Sequence, residues 1–209
     1  DKVDWASLAR ITPPVRHPTE AGALHSIAEW PADRDRGEFR QAPVFDVAVL
    51  NGDLPPVADR LPVNPLVVTP PHQFGPYGGT WTRMATGPSD IGVISARLAY
   101  DGLVRWDPMG TEVLPNLATH WEIGEEGRTY TFFLRKGVRW SDGHPFTADD
   151  LVFWYEDVLQ NKDLTPAIDM QYMHEGEMVK LEKVDDHTIR FRFAGPNGLF
   201  LKFMASNLS

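Results

Sequence analysis

The stretch of sequence that decides the fold runs from residue 129 to residue 150 and reads TYTFFLRKGVRWSDGHPFTADD. Its first part alternates between two sets of side chains. The apolar residues of one set are Tyr130, Phe132 and Leu134. Side chains that repeat every two residues lie on the same face of a strand, so residues 129–135 are predicted to form a strand. The Lys136-Gly137 pair then turns the chain.

The end of the same stretch carries the signal for the start of a helix. Thr147 is a candidate N-cap, and Asp150 stands three residues later, where its carboxylate can accept a hydrogen bond from the cap. Phe146 and Leu151 occupy the positions of a hydrophobic staple. The apolar residues that follow at helical spacing are Leu151, Trp154, Tyr155 and Val158. A helix over residues 148–159 is therefore predicted.

Shorter elements are predicted on both sides of this stretch. The predicted strands cover residues 80–84, 103–106, 118–123, 178–184 and 188–193. The predicted helices cover residues 45–51, 91–100 and 199–205. The last two strands flank the turn at Asp185-Asp186 and form a hairpin. The mixture of strands and helices indicates an α+β fold.

Residues 1–75 differ in character because prolines interrupt them throughout. Proline lacks a backbone donor and blocks helix interiors, so only short elements fit between the prolines. We expect this part to be an extended, proline-rich N-terminal arm that wraps a surface. A functional interaction arm is the alternative.

Composition excludes several classes of protein. The net charge of the 209 residues is −9, from 20 basic and 29 acidic side chains, which disfavours nucleic-acid binding. There is no cysteine, so disulfides and thiolate metal sites are excluded. No stretch reaches the ~20 apolar residues of a membrane span. The chain starts at Asp1 and shows no signal peptide, and we expect it to be a cropped fragment.

Catalytic patterns are weak. The adjacent pairs Asp149/Asp150 and Asp185/Asp186 fit a helix start and a turn better than a reacting site. The seven histidines lack metal-ligand spacing, and no nucleophile elbow or phosphate loop occurs. A hydrolase with dispersed carboxylates remains as an alternative, and it predicts two acidic residues facing one pocket, with a raised pKa. No cofactor is predicted.

The region from residue 98 to residue 156 closely resembles the family 5 solute-binding proteins, the oligopeptide, dipeptide and nickel group. The segments that carry the resemblance read LAYDGLV (98–104), PNLATHWE (115–122), TYTFFLRKGVRWSDG (129–143) and PFTADD (145–150). The segments LPPVADRLP (54–62) and YGGTW (77–81) look like the longer members, which have an extra N-terminal arm.

This resemblance implies a two-lobed periplasmic-binding-protein-like fold of type II, cluster C, of which the chain holds part of lobe I. Residues 76–209 would be the N-terminal part of lobe I with its extra β-rich subdomain. The second lobe of the same protein and the C-terminal part of lobe I would be missing here.

The implied function is that of the substrate-binding component of an ABC importer, not of an enzyme. Its partners would be a small-molecule solute, a peptide or alternatively an oligosaccharide, and an ABC permease at the membrane. Its location would be periplasmic or extracellular, with a lipoprotein anchor as one form. A stand-alone interaction or scaffold domain is the alternative from another class.

Candidate solute-binding residues follow from the resemblance by position only. In the family, solute contacts from this lobe come from loops at the edge of the cleft. Here those loops fall near residues 86–91 and 163–172. The predicted contacts are Gln171 and Tyr172, with Ser89 and Asp90 behind them.

Overall fold

The computed structural model describes residues 26–29, 39–69, 75–80, 82, 84–92, 100–107 and 109–206. The strands are β1 (Ser26–Glu29), β2 (Leu66–Thr69), β3 (Val104–Trp106), β4 (Val113–Pro115), β5 (Ala118–Gly124), β6 (Thr129–Leu134), β7 (Met173–His174), β8 (Glu177–Met178), β9 (Lys180–Asp185) and β10 (Thr188–Arg192). The helices are α1 (Asp46–Leu50), α2 (Val57–Arg60), α3 (Ala148–Phe153) and α4 (Phe200–Met204). Residues 88–92 are also helical.

An antiparallel sheet of four strands in the order β5-β6-β10-β9 forms the centre of the described structure. The pairs β1-β2, β3-β4 and β7-β8 each form a separate two-stranded ribbon. The predicted alternation of β6 is confirmed by ring contacts, because Tyr130 and Phe132 both contact Phe200 whereas Phe133 stacks on His120. The hairpin β9-β10 is confirmed as well, with Ile189 and Phe191 buried on the core side.

The core lies on one face of this sheet and is rich in aromatic rings. Phe200 of α4 is fully buried at its centre. Its ring centroid lies 4.8 Å from that of Phe193 and 5.1 Å from those of Tyr130 and Phe191, mostly in edge-to-face arrangements. Such aromatic contacts add to the free energy gained from burying apolar area. A single residue of α4 therefore fixes this helix against β6, β10 and the residue that follows β10.

Helix α3 begins where the sequence predicts. Thr147 and Asp150 form a capping box, in which the Thr147 amide donates to the Asp150 carboxylate at 2.7 Å. The predicted length is also confirmed, but residues Trp154–Leu159 continue in the wider π geometry. The wider turns bring Leu159 into the core and leave Val158 half-buried. A regular 3.6-residue period does not predict this shift in which residues face the core.

Residues 63 and 64, in the segment predicted as an N-terminal arm, contact the end of β6. The Val63 amide donates to the Lys136 carbonyl at 2.9 Å. The buried Arg135 side chain donates from Nη1 to the Asn64 carbonyl and from Nε to the Asn116 carbonyl. Gly137 has a φ of +82°, and a Cβ there would lie 3.2 Å from the Val63 nitrogen. Glycine at this turn therefore permits the arm to approach closely.

The short elements expected in the arm are found as α1, α2 and β2, and none of the residues in α1 or α2 is buried. The ribbon β1-β2 was not predicted. Most of the predicted helix over residues 91–100, and residues 81 and 83 of the strand predicted over 80–84, lie outside the described residues. The described residues of that segment, 80, 82 and 84, are exposed and are not in a strand, so a strand there is not supported.

Candidate functional site

The first candidate loop, around residues 86–91, is built on the start of a short helical turn. Both the amide and the hydroxyl of Thr86 donate to Asp90 Oδ2, at 2.6 Å and 2.7 Å. The Thr86 hydroxyl, followed by its amide, holds the pKa of Asp90 below its usual range. Asp90 is therefore an ionised carboxylate already engaged in local structure, whereas Ser89 is exposed.

The second candidate loop, residues 163–172, follows the π-helical segment, and polar groups hold its start. Asn161 accepts hydrogen bonds at its side-chain Oδ1 from the Asp163 amide, at 2.9 Å, and at its carbonyl from the Thr165 amide, at 2.7 Å. The Thr165 hydroxyl donates back to the Val158 carbonyl at 2.7 Å. These bonds give the first half of the loop a defined shape, because the backbone groups are satisfied locally.

The second half of this loop contains the other two predicted contact residues. Met170–Tyr172 forms a 3-10 turn, on which Gln171 is half-buried. The Tyr172 side chain is only 6% exposed, and its ring packs against Trp154 with the centroids 5.1 Å apart. Burial raises the pKa of Tyr172 to about 12, with a smaller contribution from the charge of Asp169.

The structure thus assigns the four predicted residues different environments. Ser89 is exposed, Asp90 stabilises a helix start, and Gln171 is half-buried, whereas the ring of Tyr172 belongs to the core. Among the residues that the structure describes, no hydrogen bond or ring contact joins the two loops. Solute contact at any of these positions stays a prediction.

Sequence reasoning did not anticipate a groove of about 530 Å³ at one end of the four-stranded sheet. We call it the sheet-end groove; its residues are Val63, Asn64, Thr119, His120, Phe133, Leu134, Arg135, Lys136, Asp185, His187 and Thr188. It lies between the arm and the sheet. The alternation in β6 already placed Phe133 on the outer face, which is the signal that could have revealed it.

One imidazole of the sheet-end groove is held by a stacked ring and a hydroxyl. The rings of His120 and Phe133 stack with their centroids 4.1 Å apart. The Thr119 hydroxyl lies 2.9 Å from His120 Nδ1 and 3.1 Å from the Phe133 carbonyl, so it bridges the imidazole and the backbone of β6.

The resolved pKa shifts of the described carboxyl groups differ from the raised pKa that the hydrolase alternative predicts. The carboxyl groups whose pKa shifts clearly, Asp90, Asp185 and Asp186, all shift downward. For Asp185 the largest cause is the hydrogen bond from the His187 amide, and for Asp186 it is the bond from Lys183. A general acid requires the opposite shift, toward neutral pH.

The described residues contain no group of three or more His, Cys, Asp or Glu side chains that could hold a metal ion. None of their helices is both long and apolar enough to cross a membrane.

A family model and a solved structure both match this chain. Residues 112–209 match the family model described as bacterial extracellular solute-binding proteins, family 5 middle. The oligopeptide-binding protein OppA superposes with a TM-score of 0.73 and 45% sequence identity, covering 82% of this chain and 26% of OppA. The resemblance to the family 5 solute-binding proteins is confirmed.

Family 5 proteins with other solutes are similar too. The periplasmic binding protein MelB from Agrobacterium fabrum C58, solved in complex with stachyose, superposes with a TM-score of 0.61 and 30% identity over 88% of this chain and 30% of MelB. The periplasmic alpha-galactoside-binding protein of Rhizobium meliloti is 34% identical over 188 residues, 80% of this chain. The dipeptide-binding protein of Escherichia coli is 37% identical over 123 residues, 53% of this chain.

These neighbours confirm the fold class. The architecture is that of a type II periplasmic binding protein, a mixture of helix and sheet that forms part of a domain. The chain spans about a quarter of the length of the curated family 5 relatives it matches, 27% for the Rhizobium meliloti protein and 23% for the Escherichia coli protein.

Proposed function

We propose that this chain is part of the substrate-binding component of an ABC importer, which captures a solute outside the cytoplasmic membrane and delivers it to a permease. The observation that carries the proposal is the superposition on the oligopeptide-binding protein OppA, at 45% identity over 82% of this chain. Residues 76–209 would form the N-terminal part of lobe I, and residues 1–75 the arm. A second lobe would close over the solute.

The mechanism is binding coupled to closure. A solute that contacts both lobes binds the closed form better and shifts the open-closed equilibrium toward it, and the permease reads the closed form. No bond is made or broken. The described part of the chain supplies the rigid scaffold, because its four-stranded sheet and its aromatic core hold the second candidate loop through Tyr172.

A peptide is the proposed solute class. OppA and the dipeptide-binding protein of Escherichia coli are both named for binding peptides. OppA also superposes with a higher TM-score than MelB. The second candidate is an oligosaccharide, which the alpha-galactoside-binding relative and the stachyose complex favour. The location that goes with either solute is periplasmic or extracellular.

The affinity of this chain alone should be low. An intact site with a Kd of about 1 μM has a binding free energy of about −8 kcal/mol, whereas one lobe keeps only part of the contacts and the full entropy cost. We therefore expect a Kd of about 1 mM or weaker. Saturation-transfer NMR detects binding of this strength, and the ligands are a dipeptide, a tetrapeptide and stachyose, each offered separately.

The outcomes of this experiment separate the candidates. Saturation transfer to the peptides and not to stachyose supports the proposal, and the reverse result replaces the peptide by an oligosaccharide. Transfer to neither ligand contradicts solute binding by this part of the chain. Gln171→Ala should weaken the signal, while Gln160→Ala, an exposed glutamine before the second candidate loop, serves as the matched control.

A further inference from the structure

The π-helical segment Trp154–Leu159 contacts the second candidate loop near both of its ends. At the start of the loop, the Thr165 hydroxyl donates to the Val158 carbonyl at 2.7 Å. At its end, the Tyr172 ring packs against the Trp154 ring with the centroids 5.1 Å apart. One short segment of helix therefore fixes the two points between which residues 166–171 run.

A third link joins the same segment to the end of the loop through two successive hydrogen bonds. The Tyr155 hydroxyl donates to the Val179 carbonyl at 2.8 Å, and the Val179 amide donates to the Tyr172 carbonyl at 2.8 Å. The Val179 side chain is fully buried, so this residue cannot shift without opening the core. Burial raises the pKa of Tyr155, and the opposing backbone hydrogen bond with Leu181 is the smaller effect. The hydroxyl therefore keeps its proton at neutral pH and can donate it.

The π geometry places these groups on one wide turn. The Gln160 amide donates to the Tyr155 carbonyl at 3.3 Å, five residues back, where an α-helix would use the fourth residue. The turn thus contains about one residue more than a regular turn, as in other π-bulges, which occur frequently at functional sites. Leu159 anchors the turn in the core. The wide turn and the contacts with the loop occur at the same place, which indicates that the turn holds the loop.

The end of the loop that is held in this way keeps side chains accessible. Met170 is 86% exposed and Gln171 is half-buried, whereas the ring of the adjacent Tyr172 belongs to the core. A loop that is ordered before binding loses less conformational entropy when a ligand binds, which raises the affinity. We propose that the π-helical segment positions residues 170–172 for solute contact, with the Tyr155 hydroxyl as a positioning residue. The part of this inference that concerns the solute rests on the function proposed above.

The test removes one hydroxyl and keeps its ring. In Y155F, the Val179 amide should exchange with deuterium at least about fivefold faster relative to the Leu134 amide of β6, because the end of the loop then opens without the sheet. The matched control is Y130F, which removes the hydrogen bond from the Tyr130 hydroxyl to the Asn197 carbonyl. Each variant loses one bond from a tyrosine hydroxyl to a backbone carbonyl, but Y130F should leave the ratio of the two exchange rates unchanged.

Solute binding provides the readout that a merely structural role would not move. Saturation transfer to the ligand that binds the wild type, among the dipeptide, the tetrapeptide and stachyose, should fall by at least about half in Y155F and persist in Y130F. An unchanged exchange ratio in Y155F, or an equal rise in Y130F, overturns the inference. A raised ratio with undiminished saturation transfer overturns the positioning role.

The two readouts also separate this inference from the proposed function. If the wild type shows no saturation transfer to any of the three ligands, the proposed function and the solute part of the inference both fail. The exchange ratio then still decides whether the Tyr155 hydroxyl holds the loop, because that measurement needs no ligand.

Discussion

The body of the protein and its N-terminal arm hold their positions in different ways. The body, residues 100–206 with residue 108 left aside, closes an aromatic core around Phe200. The described part of the arm keeps apolar side chains such as Val44 and Leu50 on the surface, 79% and 84% exposed. Polar contacts to Arg135 and Lys136 join it to the body. The comparison indicates that a fully buried aromatic core stabilises the body, whereas directional bonds contribute a larger share of what holds residues 39–69 in place.

The largest effect is expected from the centre of the core. Phe200→Ala removes a fully buried ring that contacts several neighbours, and the cavity should lower the free energy of unfolding by about 3–5 kcal/mol. Urea denaturation monitored by tryptophan fluorescence measures this loss. Phe45→Ala is the matched change in the arm, where the ring is 45% exposed, and it should cost less than about 1 kcal/mol. Equal costs for the two variants would refute the comparison.

An intermediate effect is expected where the two regions meet. Arg135→Met removes the donors to the Asn64 and Asn116 carbonyls and should cost about 2 kcal/mol. Because the arm is then released from β6, the Val63 amide should lose its protection from hydrogen exchange. Arg139→Met is the control, since its Nη1 donates only to the nearby Gly143 carbonyl at an exposed site. Full protection of Val63 in the Arg135 variant would show that other contacts hold the arm.

The smallest effect is expected from an exposed charge cluster of the body. Lys183 Nζ lies 2.7 Å from Asp149 Oδ1 and 2.9 Å from Asp186 Oδ1, and the bond from Lys183 lowers the pKa of Asp186 below its ordinary value of 3.8. A lowered folded-state pKa contributes stability above the unfolded value, and this contribution is lost as the pH falls through the folded value. Asp186→Asn should therefore destabilise the protein slightly at neutral pH.

This last effect has a pH signature. The difference in the free energy of unfolding between the wild type and Asp186→Asn should shrink steadily once the pH falls below 3.8. Urea denaturation at a series of pH values measures it, with Asp157→Asn on an exposed part of the α3 continuation as control. A difference that stays constant down to the acid transition would mean that the ion pair contributes nothing to stability.

Features that the sequence predicted well are those with a local cause. The capping box of Thr147 and Asp150 and the alternation in β6 depend on residues a few positions apart. The interactions that form these features can therefore be recognised in the sequence itself. The π geometry of Trp154–Leu159 was missed because it depends on how Leu159 packs in the core. The ribbon β1-β2 was missed because its two strands are short and distant in sequence.

The candidate site was less predictable for a related reason. The sequence does not distinguish a loop tyrosine that contacts a solute from one that packs in the core. Tyr172 is buried by contacts with Trp154 and Phe200, which come from other parts of the chain. The sheet-end groove likewise needs the arm, β6 and the β9-β10 turn together. The resemblance located the loops, but the packing around them is a tertiary property.

The strand order of the sheet has a consequence for synthesis on the ribosome. Strand β6 pairs on one side with β5, which precedes it, and on the other with β10, whose synthesis begins only after residues 135–187 have been made. At a synthesis rate of about 5–20 residues per second, the β6 edge of the β5-β6 hairpin stays unpaired on the order of seconds before β10 is available. During that interval the unpaired edge is a target for chaperones and for aggregation, and slower translation lengthens the exposure.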